Sequence, residues 1–94
     1  MSLRCEWDEA KNCINFAKHG LRFEDADEVL SAPCVTFEDD RFYYGEERFI
    51  SLGLLDGRVV VIAHTLRDAA TRIISMRKGN RRERQIYRQR FGAH

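Results

Sequence analysis

Lys18 and His19 are adjacent polar side chains that could transfer protons near neutral pH. Histidine is the side chain best suited to carry a proton at physiological pH, so His19 is the natural proton carrier of the two. Gly20 follows the pair and is typical of a helix C-terminus, where cations interact favourably with the helix dipole. The two residues are therefore either a proton-transfer site or an ordinary helix cap, and the sequence leaves both interpretations open.

Three arginines at the ends of predicted strands could bind a phosphate: Arg48, Arg72 and Arg77. A guanidinium donates two parallel hydrogen bonds to a phosphate or a carboxylate, which a lysine does not. An arginine on a partly apolar sheet face must find such an anion. The three side chains therefore either hold a substrate phosphate or pair with carboxylates of the chain, of which the candidates are Glu46, Glu47 and Glu83.

The C-terminal segment is strongly basic. From Arg77 to Arg90 it reads RKGNRRERQIYRQR, with seven basic residues against one acid, whereas residues 24–47 hold nine acids against one base. A basic segment of this density beside a folded core indicates binding of a polyanion, most often nucleic acid. The side chains predicted to contact phosphates are Lys78, Arg81, Arg82, Arg84 and Arg88. The alternative is that Arg81, Arg84 and Arg88, which fall on one side of a predicted helix, are a solvated helix face.

The remaining polar groups favour structural roles. Glu47 and Glu83 stand beside arginines, which suits ion pairs better than general bases. His64 lies inside an apolar run and is predicted to be a hydrogen-bonded core histidine, while Ser75 has no recognisable catalytic partner. The histidines lack metal-ligand spacing, so no metal and no cofactor are predicted. The three cysteines lack C-x-x-C spacing and are predicted to be small buried residues in a reducing cytoplasm; they are Cys5, Cys13 and Cys34.

The periodicity predicts the elements that position these residues. Asp8 and Gly20 delimit a first helix, whose buried side is predicted to include Ala10, Ile14 and Ala17. Pro33 ends a second helix. Asn80 and Glu83 form the capping box of a third helix. The predicted ranges are Cys5–Trp7 for a short strand, Phe23–Ser31 for the second helix, and Cys34–Glu38, Glu47–Leu55, Arg58–Leu66 and Thr71–Arg77 for strands, with a hairpin turn at Asp56-Gly57.

This order of elements predicts an α+β fold in which two N-terminal helices and a C-terminal helix pack on one side of a small antiparallel sheet. Alternation along the last strand places Arg72 and Met76 on one face and Arg77 on the other. The chain has 94 residues, of which 44% are hydrophobic and 33% charged, so we expect one soluble globular domain, residues 1–94. No apolar run approaches the length of a membrane span, and the start lacks a signal-peptide pattern.

Four segments in order resemble the BrnT toxins of bacterial type II toxin–antitoxin systems. They are WDEAKNCINFAKHGLRFEDA, EERFISLG, the Asp56-Gly57 hairpin and TRIISMRKGNRRER, and together they span roughly residues 6 to 88. Arg22 departs from the pattern, because many relatives have a helix-capping residue there.

The resemblance implies a RelE-like fold and a metal-independent ribonuclease that inhibits translation. It also implies a small BrnA-like antitoxin with a ribbon-helix-helix segment, a heterotetrameric complex, and contact with operator DNA only through the antitoxin. Metal-free RNA cleavage needs a base for the ribose 2′-hydroxyl, an acid for the leaving 5′-oxygen and cations for the charge on phosphorus. Under this interpretation Lys18, His19, Arg48, Arg72 and Arg77 are the catalytic candidates.

Three functions remain open from the sequence. The first is a ribonuclease toxin, which the ordered motifs favour. The second is a nucleic-acid-binding module without catalysis, which composition alone favours. The third is a protein–protein module that uses the acidic middle and the basic end as docking surfaces.

Overall fold

A computed structural model describes residues 4–41 and 45–92 of the chain. Its elements, in order, are β1 (Cys5–Glu6), α1 (Glu9–His19), a 3-10 turn (Phe23–Asp25), α2 (Ala26–Ser31), β2 (Val35–Glu38), β3 (Phe49–Leu55), β4 (Arg58–Arg67), β5 (Ala70–Lys78) and α3 (Arg81–Phe91). The predicted elements are all present, except that the second predicted helix begins with a 3-10 turn.

The five strands form one sheet in the order β1-β5-β4-β3-β2. Strands β2 to β5 pair antiparallel with their neighbours, whereas β1 pairs parallel with β5 through Cys5↔Thr71 and Glu6↔Arg72. The α+β class is therefore confirmed, but the sheet is mixed rather than wholly antiparallel. The sequence did not indicate this pairing because β1 is only two residues long and its partner lies far along the chain.

Two tight turns set the register of the long strands. Asp56 and Gly57 have φ values of 52° and 78°, the left-handed pair that a two-residue hairpin requires. Asp68 and Ala69 take the same conformation, with φ values of 51° and 64°, between β4 and β5. The first turn confirms the Asp-Gly signal, and the second carries no glycine that would have revealed it.

A β-bulge at Ile74 changes which side chains share a face. Ala63 pairs with Ser75 and His64 pairs with Ile73, so Ile74 has no partner on β4. The predicted alternation along the last strand is therefore wrong beyond this point. The partners of Arg72 and Arg77 on β4 are Thr65 and Val61, four residues apart, so the two arginines lie on one face of the sheet.

The helices cover both faces of the sheet rather than one. Neighbouring residues of β4 point to opposite sides, and Val60 packs in a core with Phe23 of the 3-10 turn, while Val61 packs in a second core with Tyr87 of α3. Two cores form because β4 is apolar at nearly every position and needs cover on both sides. The prediction that all helices lie on one side is therefore wrong.

Helix α1 turns its asparagines inward. Asn12 and Asn15 are 4% and 7% exposed, whereas Ile14 is 66% exposed, so the predicted buried side is wrong. The Asn15 amide donates to the Met76 carbonyl at 2.9 Å and accepts from the Met76 N–H at 3.1 Å. Because β1 pairs only with the start of β5, these backbone groups need another partner. The side-chain amide supplies it, and this requirement overrides the apolar periodicity.

The predicted caps are confirmed. Asp8 accepts from the backbone N–H groups of Ala10 and Lys11, and Gly20 closes α1 in the left-handed conformation with φ of 71°. Asn80 and Glu83 form the reciprocal capping box at the start of α3. The helix ends are therefore fixed by local side chains, and these ends position the candidate site.

Candidate functional site

A cavity of about 280 Å³ opens at the end of the sheet where the β3–β4 turn meets the end of β5. Its lining includes four cationic side chains, Arg58, Lys78, Arg84 and Arg88, and no carboxylate from residues 4–41 and 45–92. Leu54, Val59 and Tyr87 form its apolar part. We call this the cationic cavity, and the part of the molecule around it the hairpin end.

Backbone packing brings these four cations together. The N–H of Gly79 donates to the Val59 carbonyl at 2.9 Å, and a Cβ on Gly79 would lie 3.0 Å from a Val59 methyl group. The chain therefore passes close over β4 before Asn80 starts α3. Arg84 and Arg88, four residues apart, then face back toward the hairpin, and Arg84 Nη1 donates to the Gly79 carbonyl at 2.8 Å.

The cations of this cavity lack neutralising partners. Within residues 4–41 and 45–92, no carboxylate comes within 4 Å of the charged groups of Arg58, Lys78, Arg84 or Arg88. Like charges held this close raise the free energy of the folded chain unless an anion binds between them. The arrangement suits a phosphate, which accepts hydrogen bonds from several cations at once.

Lys18 and His19 lie at the same end of the molecule. Gly20 and Leu21, which directly follow them, line a neighbouring cavity of about 410 Å³ together with Arg58 and Lys78. Lys18 is exposed and His19 is partly exposed. Arg58 and Lys78 thus line both the cationic cavity, on the α3 side of the sheet, and the cavity at the α1 C-terminus, on the other side, where Asp56 also takes part.

Arg48 and Arg72 lie at the other end of the sheet. Arg72 Nη1 donates to Glu6 at 3.0 Å, and Arg48 Nε lies 3.6 Å from Glu46. Glu46 also accepts from Arg67 at 3.1 Å. Each of these three arginines thus has a carboxylate close by, and we call the region the paired end. Along β5 it is about 15 Å from Arg72 to Arg77, at roughly 3.3 Å for each residue.

Arg77 is held by Glu83. Its two terminal nitrogens donate to the two carboxylate oxygens at 2.8 and 2.7 Å, and Glu83 also accepts from the Asn80 N–H at 2.8 Å. Hydrogen bonding from Arg77 lowers the pKa of Glu83, and the same pair raises the pKa of Arg77. This geometry fixes the start of α3 on β5 and agrees with the internal pairing considered from the sequence.

Arg81 and Arg82 begin α3, and both are exposed. Arg82 lines a separate cleft of about 290 Å³ in which acidic side chains, Asp39 and Asp40, also take part. The five predicted phosphate contacts are therefore divided. Lys78, Arg84 and Arg88 meet in the cationic cavity, whereas Arg82 points into a cleft of mixed charge.

His64 is a core histidine, as predicted. Its Nε2 lies 2.8 Å from Ser51 Oγ, and Ser51 in turn lies 2.8 Å from Thr36 Oγ1. Burial lowers the pKa of His64, which favours its neutral form. Ser51 is 1% exposed, whereas Thr36 is exposed and His64 is partly exposed, and their hydrogen bonds connect β2, β3 and β4.

Arg58 is the site residue that the sequence did not reveal. It begins β4 directly after the Asp56-Gly57 turn, and only the register of β5 places Lys78 beside it. The cysteine prediction also needs correction, since Cys13 is exposed while Cys5 and Cys34 are partly buried and free. Because Asn12 and Asn15 face the protein interior, Cys13 lies on the solvent-facing side of α1.

No group of three or more metal-binding side chains occurs among the residues that the structure describes. None of the helices in that part of the chain has the length and apolar character needed to cross a membrane.

Comparison with known families gives one assignment. The family described as "Ribonuclease toxin, BrnT, of type II toxin-antitoxin system" matches residues 7–83. The matched span contains Lys18, His19, Arg58 and Lys78, while Arg84 and Arg88 lie just beyond it. A search of curated proteins gives no match.

Proposed function

The chain belongs to the BrnT family of ribonuclease toxins of type II toxin–antitoxin systems, and we propose that it cleaves RNA without a metal ion and so inhibits translation. The observation that carries the proposal is the cationic cavity, which shares Arg58 and Lys78 with the cavity at the α1 C-terminus. Four cations that have no carboxylate partner among the described residues line it, and a lysine and a histidine accessible to solvent lie at the same end of the molecule. These are the parts that metal-free RNA cleavage requires.

In this proposal the cationic cavity holds RNA phosphates and the α1 C-terminus performs the chemistry. A base removes the proton of the ribose 2′-hydroxyl, the 2′-oxygen bonds to phosphorus, and the bond to the 5′-oxygen breaks as an acid protonates that oxygen. His19 and Lys18 supply proton transfer and positive charge. Lys78 and Arg58 line both cavities and therefore bridge the reacting phosphate and its neighbours.

Arg48, Arg72 and Arg77 remain predicted catalytic residues with an added requirement. Each lies beside a carboxylate, so a substrate phosphate would have to replace Glu46, Glu6 or Glu83 as its partner. The bidentate pair of Arg77 and Glu83 makes that replacement costly. Lys18 and His19, which need no such exchange, therefore have the leading roles.

Arg81 and Arg82 extend the proposed RNA surface along the first turn of α3. Contacts of this kind neutralise phosphates without reading the base sequence, so binding weakens as salt concentration rises. The partner in this proposal is a BrnA-like antitoxin in the cytoplasm. It would form a heterotetramer with the toxin and bring it to operator DNA.

Expression of the chain alone in bacteria, with a purified assay beside it, tests the proposal. We expect growth arrest, and cleavage of single-stranded RNA at low salt in the presence of a chelator. A harmless chain that leaves RNA intact under those conditions would refute the enzyme.

One observation favours a second function, a nucleic-acid-binding module without catalysis. The α1 C-terminus is closed by Gly20 in the way that ordinary helix caps are, so Lys18 and His19 have a structural reason to be there. RNA that binds in a salt-dependent manner but stays intact identifies this alternative.

A further inference from the structure

The solvent-facing side of α1 is apolar, whereas an ordinary surface helix has its apolar side toward the core. Ala10, Cys13, Ile14 and Ala17 follow the spacing i, i+3, i+4 and i+7, and all four are exposed. Ile14 alone has 66% of its surface accessible. We call these four residues the α1 outer face.

Hydrogen bonds on the inner side prevent α1 from rotating to bury this face. Asn15 satisfies both backbone groups of Met76, and Asn12 Oδ1 accepts from the Phe23 N–H at 2.9 Å. Turning the helix would leave these buried groups without hydrogen-bond partners, which destabilises the folded chain. The apolar face is therefore a fixed feature of the fold, and only another molecule can cover it.

The borders of the face define what fits on it. On one side, Phe16 is 44% exposed and lies under the Arg22 guanidinium at 4.9 Å, beside a groove of about 300 Å³ that Glu9 and Glu24 also line. On the other side, Lys11 and Lys18 are exposed two helical turns apart. The small residues of the face allow a second helix to approach closely, and the groove can receive one of its larger side chains.

Charge decides between the possible occupants. Two copies packed antiparallel through this face would set Lys11 and Lys18 against the same lysines, which repel each other. RNA would leave Ile14 without an apolar partner. A helix with an apolar stripe and acidic residues along one border satisfies both features, and a type II family has a protein partner of its own, the antitoxin.

We infer that the α1 outer face is the docking surface for an amphipathic helix of the antitoxin. The apolar stripe of that helix covers Ile14 and Cys13, and its acidic side chains pair with Lys11 and Lys18. This inference deepens the proposed function, because a helix docked on Lys18 blocks the α1 C-terminus. The antitoxin thus neutralises a charge of the site and excludes RNA from it by one contact.

The test compares two exposed apolar residues with the same substitution. Ile14→Asp places a charge in the α1 outer face, and Leu66→Asp places one at the paired end, where Leu66 is 69% exposed. Binding of each purified variant to the antitoxin encoded with the chain is measured by calorimetry. We expect Ile14→Asp to weaken binding by about 30-fold or more, as for a central interface residue, and Leu66→Asp to leave it close to wild type. Equal affinities for the two variants overturn the inference.

A second pair of measurements tests the occupant. Lys11→Glu is expected to weaken antitoxin binding by about tenfold through like-charge repulsion, with the fold retained by circular dichroism. Maleimide labelling of Cys13 is expected to be fast in the free chain and slow in the complex. Cys13 labelling that is unaffected by the antitoxin contradicts the docking. So does a free chain that dimerises and loses its dimer in Ile14→Asp.

The outcome is separable from that of the proposed function, because binding to the antitoxin needs no RNA cleavage. A chain that leaves RNA intact but binds the antitoxin through Ile14 refutes only the enzyme. A chain that cleaves RNA and binds the antitoxin equally well in both aspartate variants refutes only the docking surface.

Discussion

The two ends of the sheet have similar numbers of arginines but differ in whether carboxylates lie beside them. At the paired end, Arg72 lies against Glu6, and Arg67 shares Glu46 with Arg48. At the hairpin end, Arg58 and three further cations line one cavity to which the described part of the chain contributes no carboxylate. The contrast separates arginines that form ion pairs within the chain from cations that are proposed to bind an anion.

Strand β4 contains both cases within ten residues. Arg58 is its first residue and Arg67 its last, and both side chains are exposed. Arg67 donates to Glu46 at 3.1 Å, whereas Arg58 lines the cationic cavity. Residue type and position in a strand therefore do not distinguish a binding arginine from a structural one. The presence or absence of a carboxylate beside the guanidinium does.

The largest expected effect comes from the α1 C-terminus. His19→Ala should lower the rate of RNA cleavage by about 10²–10⁴-fold, the usual contribution of a proton-transfer group, with the fold unchanged. Lys11→Ala, on the same helix but two turns away, should cleave at the wild-type rate. If the His19→Ala variant cleaves RNA at the wild-type rate, the proposed catalytic site at the hairpin end is wrong.

The second prediction uses the matched arginines of β4. Arg58→Gln should weaken RNA binding by about tenfold, as expected for one charge-assisted contact, and should lower the salt slope by about 0.7 for one phosphate of a single strand. Arg67→Gln should change neither quantity. Fluorescence anisotropy over a range of salt concentrations measures both, and equal losses in the two variants would break the comparison between the ends.

The third prediction concerns the ion pair that connects β5 to α3. Glu83→Ala removes a cap and the partner of Arg77, and should lower the free energy of unfolding by about 1–2 kcal/mol. Because the folded chain lowers the pKa of Glu83, its contribution is present above the unfolded carboxyl pKa of about 4.3 and is lost as pH falls through the lower folded pKa. Urea unfolding at pH 7 and at pH 3 should therefore show a smaller difference between variant and wild type at acid pH.

The smallest effect is expected at the paired end. Arg72→Gln should cost at most about 1 kcal/mol of stability, since partly exposed ion pairs contribute little, and should lower RNA cleavage far less than His19→Ala does, because a phosphate reaches Arg72 only by replacing Glu6. Chemical unfolding and the cleavage assay measure the two quantities. A large loss of cleavage with an intact fold would instead support the role in catalysis predicted for Arg72.

Local signals in the sequence predicted much of the fold. Asp8, Gly20 and the Asn80–Glu83 box fix helix ends through contacts within a few residues, so the pattern contains the whole interaction. The Asp56-Gly57 turn is equally local. The prediction of which side of α1 is buried was wrong because Asn15 hydrogen-bonds to the backbone of Met76, which lies 61 residues further along the chain.

The candidate site was predictable only in part for the same reason. The basic segment identified Lys78, Arg84 and Arg88 by charge alone. It did not identify Arg58, whose place beside Lys78 depends on strand register. Nor did it predict that Glu6, 66 residues away, lies against Arg72. Pairing of charges depends on the three-dimensional neighbourhood, which a single sequence does not display.

The amide of Asn15 also determines where a further strand can pair with an edge of this sheet. A strand from another molecule cannot add to β5 at Met76, because both backbone groups are already bound and α1 lies beside them. The opposite edge is β2, where Glu38 and Asp40 place negative charge beside an exposed Phe37. Edge-to-edge polymerisation is thus resisted by a bound amide on one side and by electrostatic repulsion on the other. The Asn15 side chain thereby protects one edge of the sheet from aggregation as well as orienting α1.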